Sequence, residues 1–235
     1  MSEIVIKPLS DSDSYYYRND KAFDLPCRVI FVAPSHSGKS VLIENIFSNP
    51  SFDYYDIFEK NRNVFIMSPT YKSGSMKIKG VPDENIRDHL DIVLLAKIQD
   101  EQEENIKDYG REKTPNVAII IDDLVAGLTS HDKNVLRSLY FHGRHSKIST
   151  FMTSQAYRSI PKSVRINADH TIIFSVNNKK ELQSICEEQN VDEGAFMWIL
   201  ERATEEPYSF LKINHKKPLN ERYSVRMSNQ HFKIK

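Results

Sequence analysis

The sequence predicts an α/β domain in which a mostly parallel sheet is flanked by helices. Short apolar runs of strand length alternate with helix-like segments from residue 28 onward. The run at 117–121 is continuous and mostly β-branched, which is typical of a strand buried on both faces. Strands that alternate with helices favour a parallel sheet with helices on both sides.

The predicted elements follow one another along the chain between local breakers. Ser68, Pro69 and Thr70 end the second strand, and Thr114 with Pro115 ends a long acidic helix. We predict strands at 27–32, 64–67, 117–121, 148–153, 171–176 and 208–213. We predict helices at 41–47, 98–112, 132–141, 179–188 and 195–202.

Composition indicates one globular domain. The chain has 235 residues, of which 40% are hydrophobic and 27% charged, and its formal net charge is zero. Any binding of nucleic acid must therefore come from local basic patches. The polar N-terminus, two distant cysteines and the lack of an apolar run near 18 residues predict an intracellular protein. We expect no signal peptide, no secretion and no membrane span.

The segment APSHSGKS at 33–40 predicts a phosphate-binding loop between the first strand and the first helix. It matches the pattern G-x-x-x-x-G-K-[ST] except that Ala33 replaces the first glycine. We therefore expect an ordinary backbone conformation at Ala33, while Gly38 permits close approach of the backbone to phosphate. Lys39 would contact the β- and γ-phosphates of ATP, and Ser40 would ligate Mg²⁺. The predicted nucleotide-binding residues are Ser35, His36, Ser37, Gly38, Lys39, Ser40 and Val41.

Asp122 and Asp123 follow the buried strand at 117–121 and supply the carboxylates that ATP hydrolysis requires. We predict that Asp122 is a Mg²⁺ ligand and that Asp123 is the base that activates water. Gln155 ends the next predicted strand. In the additional-strand (ASCE, RecA-like) class of P-loop NTPases, this strand lies between the carboxylate strand and the phosphate-loop strand. Gln155 would then contact the γ-phosphate or its attacking water.

These motifs together resemble the FtsK/HerA superfamily, and within it the genome-packaging ATPases of poxviruses, other nucleocytoplasmic large DNA viruses and virophages. The resemblance extends over about residues 28–176. It includes the loop ending in GKS, the Asp-Asp strand end, Arg144-His145, Ser154-Gln155 and the segment PKSVRINAD at 161–169.

The resemblance implies an ATP-driven motor that moves double-stranded viral DNA into a capsid. It also implies a homo-oligomeric ring, a pentamer or a hexamer, that contacts a capsid or portal-vertex component. Such a motor works in the virion or at the viral assembly site in the host cell. In these rings a neighbouring subunit donates an arginine to the nucleotide; Arg144 is the first candidate and Arg165 the second.

Composition and charge, together with the extent of the resemblance, divide the chain into three regions. Residues 1–24 form an N-terminal arm, 25–213 the P-loop ATPase domain and 214–235 a basic tail. Candidate contacts to DNA phosphates are Lys147, Arg158, Lys162, Arg165 and the basic residues from Lys212 onward. The tail could instead bind the acidic segment 181–206 of the same or a neighbouring chain.

Two other functions remain compatible with a phosphate loop. One is a nucleotide or small-molecule kinase, although the Asp-Asp and Gln pairing is unusual for that class. The other is a nucleotide-dependent switch module with slow turnover. DNA-stimulated hydrolysis would favour the motor over both.

Overall fold

The computed structural model describes residues 22–74, 76–176, 178–228 and 231–232. Most of the predicted N-terminal arm lies outside these residues. The last residues of the arm are described, and Ala22 and Phe23 are buried in the core. The ring of Phe23 contacts the rings of Phe151 and His170, so the domain begins before residue 25.

Eight strands of the described residues form one sheet. They are β1 (Arg28–Val32), β2 (Val64–Met67), β3 (Ile86–Arg87), β4 (Val117–Asp122), β5 (Ile148–Ser154), β6 (His170–Ile173), β7 (Leu211–Asn214) and β8 (Tyr223–Val225). Their order across the sheet is β3-β2-β4-β5-β1-β6-β7-β8. The first six strands pair in parallel, which confirms the predicted mostly parallel sheet.

The strand order confirms that β5, which precedes Gln155, lies between β4 and β1. This insertion is the feature that the sequence predicted for the additional-strand class. Parallel strands present their carboxyl ends at one edge of a sheet, and ligands bind there. The loops after β1, β2, β4 and β5 therefore meet at a single edge, which we call the carboxyl edge.

Helices cover both faces of the sheet, as predicted. They are α1 (Lys39–Ser48), α2 (Tyr54–Ile57), α3 (Ile92–Tyr109), α4 (Ser130–His142), α5 (Lys162–Arg165), α6 (Lys179–Gln189), α7 (Glu193–Ala203) and α8 (Leu219–Arg222). Ile43 and Phe47 of α1 pack on one face with Phe31 and Phe151. Helices α3, α4, α6 and α7 pack on the other face around Ile119 and Ile121.

The start of α3 and the end of the domain differ from the sequence prediction. Helix α3 begins at Ile92, six residues before the predicted start, because Asp91 caps it by accepting a hydrogen bond from the Leu94 backbone N–H. The domain also continues past residue 213, since β8 pairs with β7 through Val225. The segment predicted as a tail thus contributes a strand to the sheet.

Strands β7 and β8 run antiparallel to their neighbours. Leu211, the first residue of β7, pairs with Ile173, the last residue of β6. The start of β7 and the end of β8 therefore both lie at the carboxyl edge. Within the part of the chain that the structure describes, no helix combines the length and apolar character needed to cross a bilayer.

Candidate active site

The phosphate loop joins β1 to α1 at the carboxyl edge. Ala33 continues the strand, because its buried backbone N–H donates to the Ser154 carbonyl at 3.0 Å. The left-handed backbone angles fall instead on His36 and Gly38, with φ of 62° and 94°. Alanine at the first position of the motif is therefore compatible with the turn. Gly38 directly precedes α1, so the backbone N–H groups of the first helical turn are available to phosphate.

The acidic pair lies beside this loop. The Nζ atom of Lys39 is 3.6 Å from Oδ1 of Asp122, although 83 residues separate the two in sequence. Both side chains are mostly buried, with 13% and 4% of their surface exposed. The loop and the end of β4 are thus within the span of one bound nucleotide, the arrangement on which a triphosphate site depends.

Two hydroxyl groups hold the Asp122 carboxylate from either side. Strand β4 lies between β2 and β5. Ser68, directly after β2, donates to Oδ2 at 2.9 Å, and Thr153 of β5 donates to Oδ1 at 2.6 Å. Asp122 itself is 3% exposed. These bonds fix the orientation of a buried carboxylate and leave lone pairs free on both oxygens.

Asp123 contacts Gln155. Its φ of 56° places it in the left-handed region, and its backbone N–H donates to Oγ1 of Thr153 at 3.0 Å. Nε2 of Gln155 donates to Oδ2 of Asp123 at 2.5 Å. The two residues predicted as base and γ-phosphate sensor are therefore neighbours at the carboxyl edge.

Sequence reasoning did not identify Ser68 and Thr153. A signal was present, because each is a hydroxyl residue at or just beyond the end of an apolar strand. That signal has meaning only once β2 and β5 are known to flank β4. Asp122 pairs directly with Thr153 in the parallel register.

Arg144 lies at the opposite edge of the sheet, just before β5. One guanidinium nitrogen is 3.6 Å from Oδ1 of Asp169, and 29% of the Arg144 side chain is exposed. Strand β5, which is seven residues long, lies between Arg144 and Gln155, so these two residues are about 20 Å or more apart. Arg144 of one subunit therefore cannot contact the nucleotide site of the same subunit.

Asp169 is the centre of this second cluster. Arg28 donates to both carboxylate oxygens through Nε at 3.0 Å and a terminal nitrogen at 2.9 Å, and Nζ of Lys216 lies 3.3 Å from Oδ1. Burial alone would raise the pKa of Asp169. The hydrogen bonds from Arg28, with the charges of Lys216 and Arg144, outweigh burial and hold that pKa below its usual value.

Arg165 has a different environment from the one predicted for it. Its guanidinium makes two hydrogen bonds to Glu188, and 9% and 11% of the two side chains are exposed. It also donates to the carbonyls of Ile160 and Tyr157 and lies over the Tyr157 ring. Arg165 is therefore committed to its own subunit, and these contacts count against the predicted role at a neighbour's nucleotide and against DNA contact.

The other predicted DNA contacts divide into two groups. Nζ of Lys147 donates to the carbonyls of Arg111 and Thr114, and burial lowers its pKa. Lys212 is also engaged, since it donates to the Ala22 carbonyl and burial lowers its pKa to about 8. Arg158 and Lys162 are exposed and remain available to a partner.

The basic region after β7 is largely paired within the chain. Lys216 contacts Asp169, Lys217 contacts Glu221, and Arg226 contacts Glu206 in the acidic segment 181–206. The contact between Arg226 and Glu206 matches the alternative stated above, in which the basic tail binds the acidic segment instead of DNA. Lys233 and Lys235 lie outside the described residues.

Comparison with protein families gives a match over most of the chain. The family model described as "Poxvirus A32 protein" matches residues 14–200. An uncharacterized protein, 075L of Invertebrate iridescent virus 6, is 24% identical over 168 residues, which cover 67% of this chain. The chain spans 58% of the length of that relative.

Solved structures of similar fold include a viral ATPase and a viral NTPase. The DNA-packaging ATPase B204 of Sulfolobus turreted icosahedral virus is 16% identical, covers 90% of this chain with 99% of its own, and has a TM-score of 0.58. The genome-packaging NTPase B204 of Sulfolobus turreted icosahedral virus 2, in complex with ATP-gammaS, is also 16% identical. It covers 89% of this chain with 98% of its own, at a TM-score of 0.54. The fold is thus that of the P-loop ATPases, as the sequence predicted.

Proposed function

The chain belongs to the poxvirus A32 protein family, and we propose that it is the ATPase of a motor that moves double-stranded viral DNA into a capsid. The observation that carries this proposal is the 3.6 Å contact between Lys39 and Asp122, with Asp123 and Gln155 beside it. The contact joins the phosphate loop to the acidic pair at the edge where parallel sheets bind ligands.

The residues at this edge have separate roles in ATP hydrolysis. The loop from Ser35 to Val41 binds the phosphates of ATP through backbone N–H groups and Lys39. Asp123 accepts a proton from the attacking water, and Gln155 orients that water or the γ-phosphate. Water and not a second substrate is the acceptor, so the products are ADP and phosphate.

The donor set beside the loop fits Mg²⁺. The Ser40 hydroxyl and the Asp122 carboxylate would hold the ion, because Mg²⁺ prefers hard oxygen ligands and is bound through few protein groups together with phosphates and water. Bound there, Mg²⁺ would neutralise charge on the phosphates. The bonds from Ser68 and Thr153 keep the Asp122 carboxylate oriented for this task.

The position of Arg144 supports a ring. Its side chain lies at the edge of the sheet opposite to the nucleotide site, so the only nucleotide within its reach would be that of an adjacent subunit. A contact between opposite edges of successive subunits is heterologous, and it forms a ring such as a pentamer or hexamer when the rotation between subunits closes. An arginine donated in this way stabilises charge on the transferred phosphoryl group and is worth about 10³–10⁵ in rate.

DNA binding in such a ring needs few charges from each subunit. Arg158 and Lys162 are exposed on the segment between β5 and β6 and are the candidates for phosphate contacts. Repetition around a ring multiplies these charges, which reconciles a net charge of zero with an anionic partner. A capsid or portal-vertex component is the further partner, at the viral assembly site or in the virion.

Phosphate release with and without double-stranded DNA tests the function. We expect Mg²⁺-dependent hydrolysis that DNA stimulates and that salt reduces in its DNA-stimulated part. Lys39→Ala should abolish hydrolysis, whereas the exposed control Lys97→Ala on α3 should retain it. ADP formation that requires a second substrate would indicate a kinase, and slow turnover that DNA leaves unchanged would indicate a switch; either result contradicts the motor.

A further inference from the structure

The turn before β7 lies next to the phosphate loop for a topological reason. Because β7 is antiparallel to β6, its first residue is at the carboxyl edge. The chain from the end of α7 to Leu211 must therefore pass along the edge where β1 ends. Neither the phosphate-loop motif nor the acidic pair includes this segment.

Tyr208 of this turn packs against the phosphate loop. A methyl group added to Cα of Gly38 would lie 3.2 Å from Cδ1 and 3.5 Å from Cβ of Tyr208. The side chain thus contacts the residue that directly precedes Lys39 and the first turn of α1. Glycine at position 38 serves both the left-handed turn and this close approach.

The backbone and exposure of Tyr208 are both unusual for a large aromatic residue. Its φ is 59°, a left-handed conformation that is costly for a bulky side chain. The residue is nevertheless 72% exposed, so burial of the ring does not offset that cost. Backbone strain that packing does not explain is concentrated at functional sites.

Arg226 holds the turn in place. Its Nε donates to the Ser209 hydroxyl at 3.1 Å and a terminal nitrogen contacts the Glu206 carboxylate at 2.8 Å. Its backbone N–H donates to the Phe210 carbonyl at 2.9 Å. These contacts lie before and after Tyr208 in sequence, so they anchor the backbone of the turn that carries the aromatic ring.

We propose that Tyr208 is the residue on which the base of the bound nucleotide stacks. This inference rests on the proposed nucleotide site and adds the base-binding group that the phosphate loop and acidic pair lack. Lys39 would hold the phosphates, and the Tyr208 ring beside Gly38 is 72% exposed, so its aromatic face is accessible next to the loop. Stacking tolerates any purine, since it needs a π-face and no specific hydrogen bond.

Binding measured with two ligands separates stacking from support of the loop. Mg²⁺-ATP carries a base, whereas Mg²⁺-tripolyphosphate carries only the phosphates. Tyr208→Asn removes the ring but keeps a side chain that accepts a positive φ. We expect it to weaken ATP binding about tenfold, as loss of one stacking contact predicts, and to leave tripolyphosphate binding unchanged.

Matched variants complete the experiment. Tyr208→Phe keeps the ring and should bind ATP like the wild type, and the exposed control Tyr109→Ala on α3 should do the same. Tyr208→Trp in a Trp198→Phe background gives a fluorescence signal that ATP should quench and tripolyphosphate should not. That background removes the single natural tryptophan.

The outcomes distinguish this inference from the function on which it rests. Equal loss of affinity for both ligands in Tyr208→Asn would make Tyr208 a support of the phosphate loop and overturn the stacking role. Unchanged ATP affinity in that variant would overturn it as well, while DNA-stimulated hydrolysis by the wild type would still support the motor. Failure of the wild type to bind either ligand would overturn the nucleotide site and the stacking role together.

Discussion

Oγ1 of Thr153 donates a 2.6 Å hydrogen bond to Oδ1 of Asp122 and accepts a 3.0 Å hydrogen bond from the backbone N–H of Asp123. One hydroxyl group therefore orients both members of the acidic pair. It can do so because the parallel register of β4 and β5 sets Asp122 opposite Thr153. The side chain that would hold Mg²⁺ and the backbone that presents the base thus depend on the same atom.

Replacing Thr153 with valine should lower kcat of ATP hydrolysis. Valine keeps the shape but removes both hydrogen bonds, and loss of a group that orients a metal ligand costs about 10- to 100-fold. Thr153→Ser retains the hydroxyl and should stay near wild-type activity. Steady-state phosphate release measures the effect, and equal activity of the valine and serine variants would contradict an orienting role.

Asp123→Asn should preserve ATP binding and remove turnover. The amide cannot accept a proton from water but can still accept the hydrogen bond from Gln155, so the local geometry is kept. Loss of a general base lowers the rate by about 10²–10⁴. Isothermal titration calorimetry measures ATP binding, and single-turnover hydrolysis measures the rate of the chemical step. Normal turnover would show that Asp123 is not the base.

Arg144→Ala should be inactive alone and active in mixed rings. Asp169 keeps its bonds to Arg28 in this variant, so we expect the fold to persist. Mixing Arg144→Ala with Asp123→Asn creates interfaces in which one subunit supplies Asp123 and the next supplies Arg144. Recovered hydrolysis would support the shared site, and mixtures as inactive as either variant would refute it. The exposed control Arg202→Ala should be active by itself.

Arg165→Met should destabilise the fold instead of affecting a neighbour's site. The change leaves the mostly buried Glu188 with a hydrogen bond from the Tyr157 hydroxyl but without its cationic partner, which costs about 3–5 kcal/mol in the free energy of unfolding. The double variant Arg165→Met/Glu188→Met should recover much of that loss, because no unpaired charge remains. Urea unfolding of the wild type, the single variant and the double variant measures these differences in the free energy of unfolding. Wild-type stability of Arg165→Met with lost ATPase activity would reverse our interpretation of this residue.

The Asp169 cluster should make stability sensitive to acid. Its pKa is lower in the folded than in the unfolded chain, so the ionised carboxylate stabilises the fold fully above the unfolded pKa of about 4. That contribution is lost as pH falls through the lower, folded pKa. Asp169→Asn should therefore be less stable than the wild type at pH 7, with a difference that shrinks below pH 4. Urea midpoints between pH 3 and pH 7 test this, and a constant difference would contradict it.

Much of the site could be predicted from sequence because its parts are local. The phosphate loop follows from one strand, eight residues of loop and one helix start, and Asp122 follows from the end of an apolar run. The position of β5 between β4 and β1 was implied by the additional-strand class of P-loop NTPases and is confirmed by the sheet. Each of these features is encoded by neighbours in sequence or by a pattern of strand ends.

Other features depend on residues that are distant in sequence. Ser68 lies 54 residues from Asp122, and Arg165 lies 23 residues from Glu188. The turn at Tyr208 comes to Gly38 only because β7 reverses direction, and β8 joins the sheet where a tail was predicted. Sequence periodicity reports which face of an element is apolar, but not which strand will lie beside it. The sequence by itself determined the chemical groups and the strand ends that carry them, whereas tertiary packing decided their partners, since hydrogen bonds and ion pairs form between whichever groups the sheet order brings together.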